Sequence, residues 1–354
     1  MNVFLTGATG FLGGYILANL LQRGHKVWAL YRKEPRKLST LRFLSTIGLP
    51  KAVNSLFWCK GDVLDIDAEW ELWCKQHKDL SEVDTVLHNA ASTRLHLDEN
   101  GEPLKTNLGS ARALMGLAQR RPFSFHLISS AYVCGLVRGS KIYEQNQPHP
   151  DFVTVYEESK WEAEQIWMEK ATIFRPSIII GDSQTARCTS FTGWYILFKA
   201  AHLLDRLLRD APLSERHHLS IQVPADPDGS ANIIPVDYVA GAVVRIIENP
   251  DHHRKIFHLT HPNPPQHKWT LDLIHRKFNL NGIKLAGPDV PIKPRNKIEG
   301  MVWRQMQILR YHLANNPVFD RAHTDSALPH FKIPPITEPM VNDLIDYAIQ
   351  NNWE

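Results

Sequence analysis

Near the N-terminus, Thr6-Gly7-Ala8-Thr9-Gly10-Phe11-Leu12-Gly13 places three glycines at GxxGxxG spacing. No other feature of the chain limits its fold as much. The apolar run Asn2–Thr6 before them reads as a strand, and Gly13–Arg23 after them repeats apolar residues at helical spacing. Gly7 and Gly10 let a backbone turn sharply and approach a pyrophosphate with no side chain in the way. The helix that follows offers free N–H groups and the positive end of its dipole to such an anion, and Gly13 permits close packing of helix on strand. A glycine triplet by itself also marks ordinary turns. Here it lies between a strand and a helix, with a second strand at Lys26–Tyr31, and that context is what a dinucleotide-binding turn requires. Gly7, Thr9, Gly10, Phe11, Leu12 and Gly13 are therefore cofactor-binding candidates.

The alternation continues. Leu56–Lys60, Thr85–His88, Phe125–Ser129 and Thr172–Phe174 read as strands, and the stretches around Ser110–Arg120 and Glu157–Glu169 read as helices. Strands alternating with helices predict βαβ units, and right-handed crossovers turn these into a Rossmann-type doubly wound parallel sheet. After Gly181 the pattern loosens, with frequent prolines and histidines and an expected loop over Asp210–Asp228. Regular signals return as a helix at Val236–Ile247, a strand at Lys255–Thr260, and helices at Lys297–Leu313 and Met340–Asn351. The expected organisation is α/β. Residues 1–181 form an NADP-binding domain to which a segment at about 232–262 returns, and residues 182–231 and 263–354 form a smaller, irregular C-terminal substrate-binding region.

The end of the second strand bears on the choice of cofactor. An acidic residue about 20 positions beyond the glycines would accept from the ribose 2′-OH of NAD. This chain has Arg32 and Lys33 there instead. A guanidinium pairs bidentately with a 2′-phosphate and stacks on adenine, so NADP(H) is the expected cofactor; the alternative is a solvated strand-end arginine. Gly61-Asp62-Val63 closes the third strand, where Asp62 either accepts from the adenine amino group or caps the next helix. Val63 beside it is a further contact candidate. His88-Asn89-Ala90-Ala91 ends the fourth strand with small residues, and Asn89 and Ala90 suit close backbone approach to a ribose.

Tyr156-Glu157-Glu158-Ser159-Lys160 is a YxxxK pair, whose phenol and ammonium share one helix face. A positive charge near a tyrosine lowers its pKa and lets it exchange a proton near neutral pH, while the lysine can also grip a ribose. Upstream, Phe125-His126-Leu127-Ile128-Ser129-Ser130 is an apolar strand ending in serines, beside the cleft where open α/β sheets bind ligands. A hydroxyl there can donate to a developing oxyanion. Ser130 is the candidate, with Ser129 able to take the role. The glycine turn, the serine-ended strand and YxxxK occur in that order, and the order gives weight to each. Cys188 and the histidines show no nucleophile–base or metal-ligand spacing, so no metal is expected.

Composition narrows the field. The 354 residues are 43% hydrophobic and 22% charged, and the formal charge of +3 is too small and too spread to suggest nucleic-acid binding. Cys59, Cys74, Cys134 and Cys188 form no CxxC pair and read as free thiols in a reducing compartment. No apolar stretch approaches the ~18 residues of a membrane span, and no signal peptide precedes the first strand, so a cytoplasmic protein is expected. Lys293, Arg295, Lys297, Arg304 and Arg310 form a basic stretch that could meet an acidic carrier protein or a CoA phosphate, although a solvated helix face is the favoured reading.

These motifs resemble the extended short-chain dehydrogenases/reductases, in particular their thioester-reductase and fatty-acyl reductase branch, also called male-sterility-type NAD-binding proteins. The resemblance rests on the glycine turn, on Ile128-Ser129-Ser130-Ala131-Tyr132-Val133, on Tyr156–Ala163 and on Phe174–Gly181. Asn107 and the segment Asn232–Ala240 complete it, and together these cover about two-thirds of the chain. The tail Leu309-Arg310-Tyr311 with Phe319-Asp320 and Leu328 is weakly similar to acyl-reductase tails.

What the resemblance implies is a catalytic set of Ser130, Tyr156 and Lys160, with Asn107 ordering the site and Pro176 and Ile179 lying against the nicotinamide. The implied reaction is NADPH-dependent reduction of an acyl thioester to aldehyde or alcohol. No adenylation or carrier domain precedes the reductase, so a carrier-bound substrate is expected to arrive in trans. A homodimer through helices of the main sheet is a further expectation. Two other readings stay open. One is a nucleotide-sugar epimerase or dehydratase, or a ketone or aldehyde reductase, on the same scaffold; Arg32 argues against the epimerase. The other is a non-catalytic NADP-binding protein, against which stand the intact Tyr156 and Lys160.

Overall fold

The computed structural model describes residues 1–49, 54–137, 139–209, 220–287, 290, 293–294, 297–306, 313 and 315–353. In chain order the first half runs β1 (Asn2–Thr6), α1 (Phe11–Gln22), β2 (Lys26–Tyr31), α2 (Glu34–Thr46), β3 (Leu56–Lys60), α3 (Ile66–Gln76), β4 (Thr85–His88), α4 (Leu104–Ala118), β5 (Ser124–Ile128), β6 (Lys141–Ile142), α5 (Val155–Trp167) and β7 (Ala171–Pro176). The second half holds β8 (Ile178–Ile180), α6 (Tyr195–Leu207), β9 (Ile221–Val223), β10 (Ile233–Pro235), α7 (Val236–Ile247), β11 (Ile256–Leu259), α8 (His267–Phe278) and β12 (Ile283–Leu285). It ends with α9 (Lys297–Met306), β13 (Val318–Phe319), α10 (Ala322–Ala327) and α11 (Glu338–Gln350).

Seven strands form one sheet in the order β11-β7-β5-β4-β1-β2-β3, and every pairing in it is parallel. The order reverses between β1 and β4, whose last residues Thr6 and His88 are paired. Open parallel sheets bind ligands beyond the strand ends at such a switch point. Helices cover both faces, so the central strands are apolar on both sides and read as continuous apolar runs. In β1, Val3 and Leu5 join one core with α1 and α7, while Phe4 joins another with Trp28, Trp70 and Trp73.

A third core, built on α6, α8 and α11, gathers Ile180, Trp194, Tyr195, Phe198, Leu204, Leu273 and Leu344. The short parallel pairs β8–β10 and β9–β12 accompany it. The segment between it and the sheet is anchored by buried charge. The Glu144 carboxylate accepts from the backbone N–H of His258 (2.7 Å) and of Thr324 (3.3 Å) and from the Thr324 hydroxyl (2.6 Å). Burial pushes its pKa up, against those donors. Leu328 and Phe331 of the tail pack into the α1–α7 core.

Helices α1 and α4 begin earlier than the sequence pattern suggests, at Phe11 and Leu104. The expected loop lies over 210–228, of which 210–219 fall outside the described residues; Arg295 and the Leu309-Arg310-Tyr311 part of the tail also fall outside them. Lys297 and Arg304 lie exposed on α9. All four cysteines are free. Among the described residues no helix is long and apolar enough to cross a membrane.

Arg175 and Glu164 form a fully buried bidentate pair (3.0 and 2.6 Å), and Arg175 also donates to the Gln145 carbonyl at 3.0 Å. Removing one charge leaves the other buried without compensation. Glu164→Gln is therefore expected to cost about 3–5 kcal/mol of unfolding free energy in a urea titration; a loss below about 1 kcal/mol would show that the pair is not the clamp it looks like.

Candidate active site

The glycine turn follows β1 directly. Gly7 has φ of +70°, and a Cβ there would stand 2.6 Å from the Ala90 nitrogen and 2.8 Å from the Asn89 carbonyl carbon. At Gly13 a Cβ would overlap the Gly7 carbonyl oxygen. Both positions thus exclude any side chain, the first by conformation and crowding, the second by the helix lying directly on the turn. Gly10 N donates to the Gly7 carbonyl at 3.0 Å, and Asn89 Nδ2 donates to the same oxygen at 3.2 Å. Thr9, Phe11 and Leu12 complete the turn and the first residues of α1. The result is a bare backbone cradle at a helix N-terminus, which fits a dinucleotide pyrophosphate.

At the outer end of the cleft Arg32 is exposed and donates to Asp62 Oδ2 at 3.2 Å. Asp62 also accepts from Leu64 N at 3.1 Å through its other oxygen, capping the short turn Val63–Asp65. So Asp62 does cap, and it also holds the arginine. Val63 is buried behind it.

At the inner end, Ser130 follows β5, and its hydroxyl lies close enough to the Tyr156 phenol to lower its pKa. Tyr132 N donates to Ser130 Oγ at 3.2 Å, which fixes the rotamer. Ser129 points elsewhere. Its Oγ is buried without a partner, and its N–H donates to the Phe174 carbonyl at 2.7 Å. Of the two serines, the structure brings Ser130 to the tyrosine. Thr154 and Glu157 form a capping box that starts α5 just before Tyr156.

The electrostatics differ from the YxxxK expectation in one respect. Burial first, then the Glu157 carboxylate, push the phenol up to about 12, and the Ser130 hydrogen bond pulls it back. Lys160 Nζ donates instead to the Ile128 carbonyl at 2.6 Å. Burial drives that ammonium down to about 8, opposed by Glu164. The groups that shift the phenol are thus its own burial, Glu157 and Ser130, so the i, i+4 spacing alone does not set its pKa.

Asn107 on α4 is buried and spans two segments. Its Nδ2 donates to the Ser92 carbonyl (3.0 Å) and to Ser159 Oγ (2.8 Å), while its Oδ1 accepts from Ser92 N (2.8 Å). Ser159 in turn donates to the Tyr156 carbonyl at 2.7 Å. Pro176 ends β7, and Ile179 lies in β8, which pairs with β10.

Residues 5–243 match a family model described as male sterility protein. The chain belongs to this family of NAD-binding proteins. It is 29% identical over 283 residues to the L-2-aminoadipate reductase large subunit of Penicillium chrysogenum, covering 70% of this chain and 18% of that protein. Against a linear gramicidin synthase of Brevibacillus parabrevis it is 24% identical over 301 residues, 79% of this chain and 6% of the other. The chain thus spans less than a fifth of either relative. The structure of the terminal R domain from the myxalamid PKS-NRPS biosynthetic pathway superposes with a TM-score of 0.75 at 22% identity, over 100% of this chain and 91% of that one. The male-sterility-type chain therefore carries an NAD-binding domain and shares the fold of that R domain.

Sequence reasoning passed over several residues that this family member places around the site. Thr6, Ser92, Ser110 and Ser159 are small polar residues whose partners lie far away in sequence, and no spacing reveals them. His88 is visible as the first residue of His88-Asn89-Ala90-Ala91, yet its ring contacts to Thr6 and Ser110 come only from the β1–β4 register and the packing of α4. Among the described residues no group of three or more His, Cys, Asp or Glu is arranged to hold a metal.

Proposed function

We propose that this chain reduces an acyl thioester, presented on coenzyme A or a carrier protein, to an aldehyde, with NADPH as reductant. The observation that carries the reading is the Ser130 hydroxyl acting on the Tyr156 phenol, one helical turn from Lys160, together with the bare glycine cradle after β1. The names of the relatives, an aminoadipate reductase and a terminal R domain of an assembly line, support a thioester as the substrate class.

The glycine turn, Asn89 and Ala90 would hold the pyrophosphate and ribose, Arg32 with Asp62 the adenosine end, and Pro176 and Ile179 the nicotinamide. The cofactor, when bound, supplies a hydride to the carbonyl carbon. Tyr156, protonated at any physiological pH, donates its proton to the carbonyl oxygen as charge develops there, and Ser130 donates a second hydrogen bond to that oxygen. Lys160 keeps a positive charge within the site and is placed to grip the ribose. Collapse of the resulting hemithioacetal breaks the C–S bond and passes the hydroxyl proton to the departing sulfur, leaving an aldehyde and a free thiol, while solvent replaces the proton that Tyr156 gave up. A second reduction would take the aldehyde to an alcohol. The region around the third core, residues 182–231 and 263–354, is proposed to shape the acyl site.

The decisive assay follows NADPH absorbance with a panel of acyl-CoA and acyl-carrier thioesters, using Tyr156→Phe as the blank. Turnover lost in the variant supports the reading. Turnover confined to ketones or aldehydes would overturn the thioester and leave the small-carbonyl reductase in its place.

NADPH rather than NADH is proposed on Arg32, whose exposed guanidinium makes a single-nitrogen contact with Asp62. Arg32→Ala is expected to weaken NADPH binding about tenfold, roughly 1.4 kcal/mol, and to leave NADH within about twofold. Fluorescence titration of both cofactors checks it, and an equal loss for the two would remove Arg32 from the choice.

A further inference from the structure

Below the cleft, the paired ends of β1 and β4 carry a row of buried polar groups. Thr6 and Ser110 are both fully buried, and His88 is 2% exposed. Thr6 Oγ1 accepts from Asn89 N (3.2 Å) and from Ala90 N (3.1 Å). Those two N–H groups occupy both lone pairs of the hydroxyl, so its own hydrogen must serve the third neighbour, His88 Nδ1 at 2.7 Å. His88 Nδ1 is therefore the bare nitrogen. In a neutral ring the proton then sits on Nε2, which faces Ser110 Oγ at 3.0 Å. Ser110 passes its own hydrogen to the Asn107 carbonyl at 3.3 Å. The Asn107 side chain continues to Ser159, and Ser159 to the Tyr156 carbonyl.

As far as the Asn107 backbone carbonyl the direction of each bond is forced by the one before it, and from there the row passes to the Asn107 side chain, whose amide N–H donates to Ser159. The row begins at the peptides that press on Gly7 and ends on the helix turn that carries Tyr156. A neutral ring is also what the surroundings demand, since burial and the adjacent Lys160 charge push His88 down to about 3.

We propose that His88, fixed as its Nε2–H tautomer, is a positioning residue that couples the cofactor-binding turn to the helix carrying the catalytic tyrosine. The proposal rests on the reading of Tyr156 as proton donor. Filling the turn fixes the Asn89 and Ala90 peptides, these fix the Thr6 hydroxyl, and the imidazole carries that constraint across the sheet to Asn107. Protonated histidine would put two donors in a row that has room for one, and the opposite tautomer would set two donors against each other at Thr6.

Two measurements on the full chain test it. The first is ¹⁵N NMR of histidine-labelled protein, with His88 assigned by its loss in His88→Asn. The expected signature is one bare nitrogen at Nδ1 and one protonated at Nε2, unchanged from pH 5 to pH 9. An Nδ1–H ring or a titrating ring overturns the proposal.

The second uses Ser110→Ala, which cuts the row without emptying the His88 site. ADP-ribose, with or without a 2′-phosphate, is the probe, because it fills the turn and has no nicotinamide ring near Tyr156. Its binding is expected to shift the Asn107 side-chain amide, assigned by Asn107→Asp, in the parent and not in Ser110→Ala, with the probe's Kd changed less than about twofold. Equal shifts in both proteins overturn the coupling. In turnover the same variant is expected to lose about tenfold in kcat with KM for NADPH nearly unchanged; a lower melting temperature with kcat intact would make the row merely structural and overturn the proposal. The NMR arms need no substrate, so an absence of thioester turnover would sink the proposed reaction and leave the coupling separately decided.

Discussion

Tyr156→Phe is expected to cut turnover by about 10²–10⁴-fold while leaving the affinity for NADPH within about twofold. Phenylalanine fills the half-buried place of the tyrosine and loses only the hydroxyl, whose one identified side-chain partner is Ser130. The capping box of Thr154 and Glu157 and the Ser159 contact to the Tyr156 carbonyl use backbone or neighbouring side chains, so α5 keeps its position. Fold and cofactor site should therefore survive, and the loss should fall on the chemical step. The phenol's elevated pKa, about 12, keeps it protonated throughout the working range. A fall of kcat/KM on the alkaline side then belongs to Lys160, with its midpoint near its value of about 8 in the free protein. Steady-state rates across pH 6–10 for the parent and the variant check both statements. A variant that retains more than about a tenth of the parent rate would remove the tyrosine from proton transfer.

The parts of this molecule readable from sequence are those whose signal is local. β1 and β2 are continuous apolar runs because helices bury both faces, and Val3, Phe4 and Leu5 announce this by belonging to two different cores. The glycine turn is local in its spacing, whereas Asn89 and Ala90, the residues that crowd Gly7, lie far along the chain beyond β4. By contrast, α2 buries only Thr40 and Leu44, too few residues to print a stripe. Helix α6 does carry one, with Tyr195, Phe198, Ala201 and Leu204 inward, but it sits in a stretch whose loop-like composition masks it.

In the site, the serine–tyrosine–lysine order is legible, but the directions of the side chains are not. The turn of Lys160 to the Ile128 carbonyl needs the β5–α5 packing, which no spacing encodes. The Arg175–Glu164 pair joins a strand to the helix before it, and the Thr6–His88 contact joins residues 82 apart in the chain. Those contacts exist only once the strand register is set.

Lys160→Met is expected to remove activity and, at the same time, to make the protein more stable. The ammonium is 4% exposed and spends its one identified hydrogen bond on the Ile128 carbonyl, while Glu164, the acid that acts on it, is already committed to Arg175. Burial lowers its pKa from the ordinary 10.5 to about 8. Below pH 8 the folded and unfolded chains both hold the proton, and the cost of burying the charge is fully present. Between pH 8 and 10.5 the unfolded chain binds a proton that the folded chain has released, so stability rises with pH through that window. The shift corresponds to a penalty on the order of 3 kcal/mol at neutral pH. Methionine has similar length and no charge; it removes that penalty and leaves the Ile128 carbonyl short of a donor, at about 1 kcal/mol. A net gain of about 1–2 kcal/mol, or a few degrees in Tm, is the expected result at pH 7, with the alkaline rise in stability flattened. Urea titrations of parent and variant at pH 7 and pH 10 read both effects. A less stable variant that keeps the parent's pH slope would mean that the lysine charge is well solvated, and the same measurement would then take from Lys160 the alkaline limb assigned to it above. A stabilised but inactive variant would instead show that the fold tolerates a buried, poorly compensated cation at one place because the reaction needs a charge there.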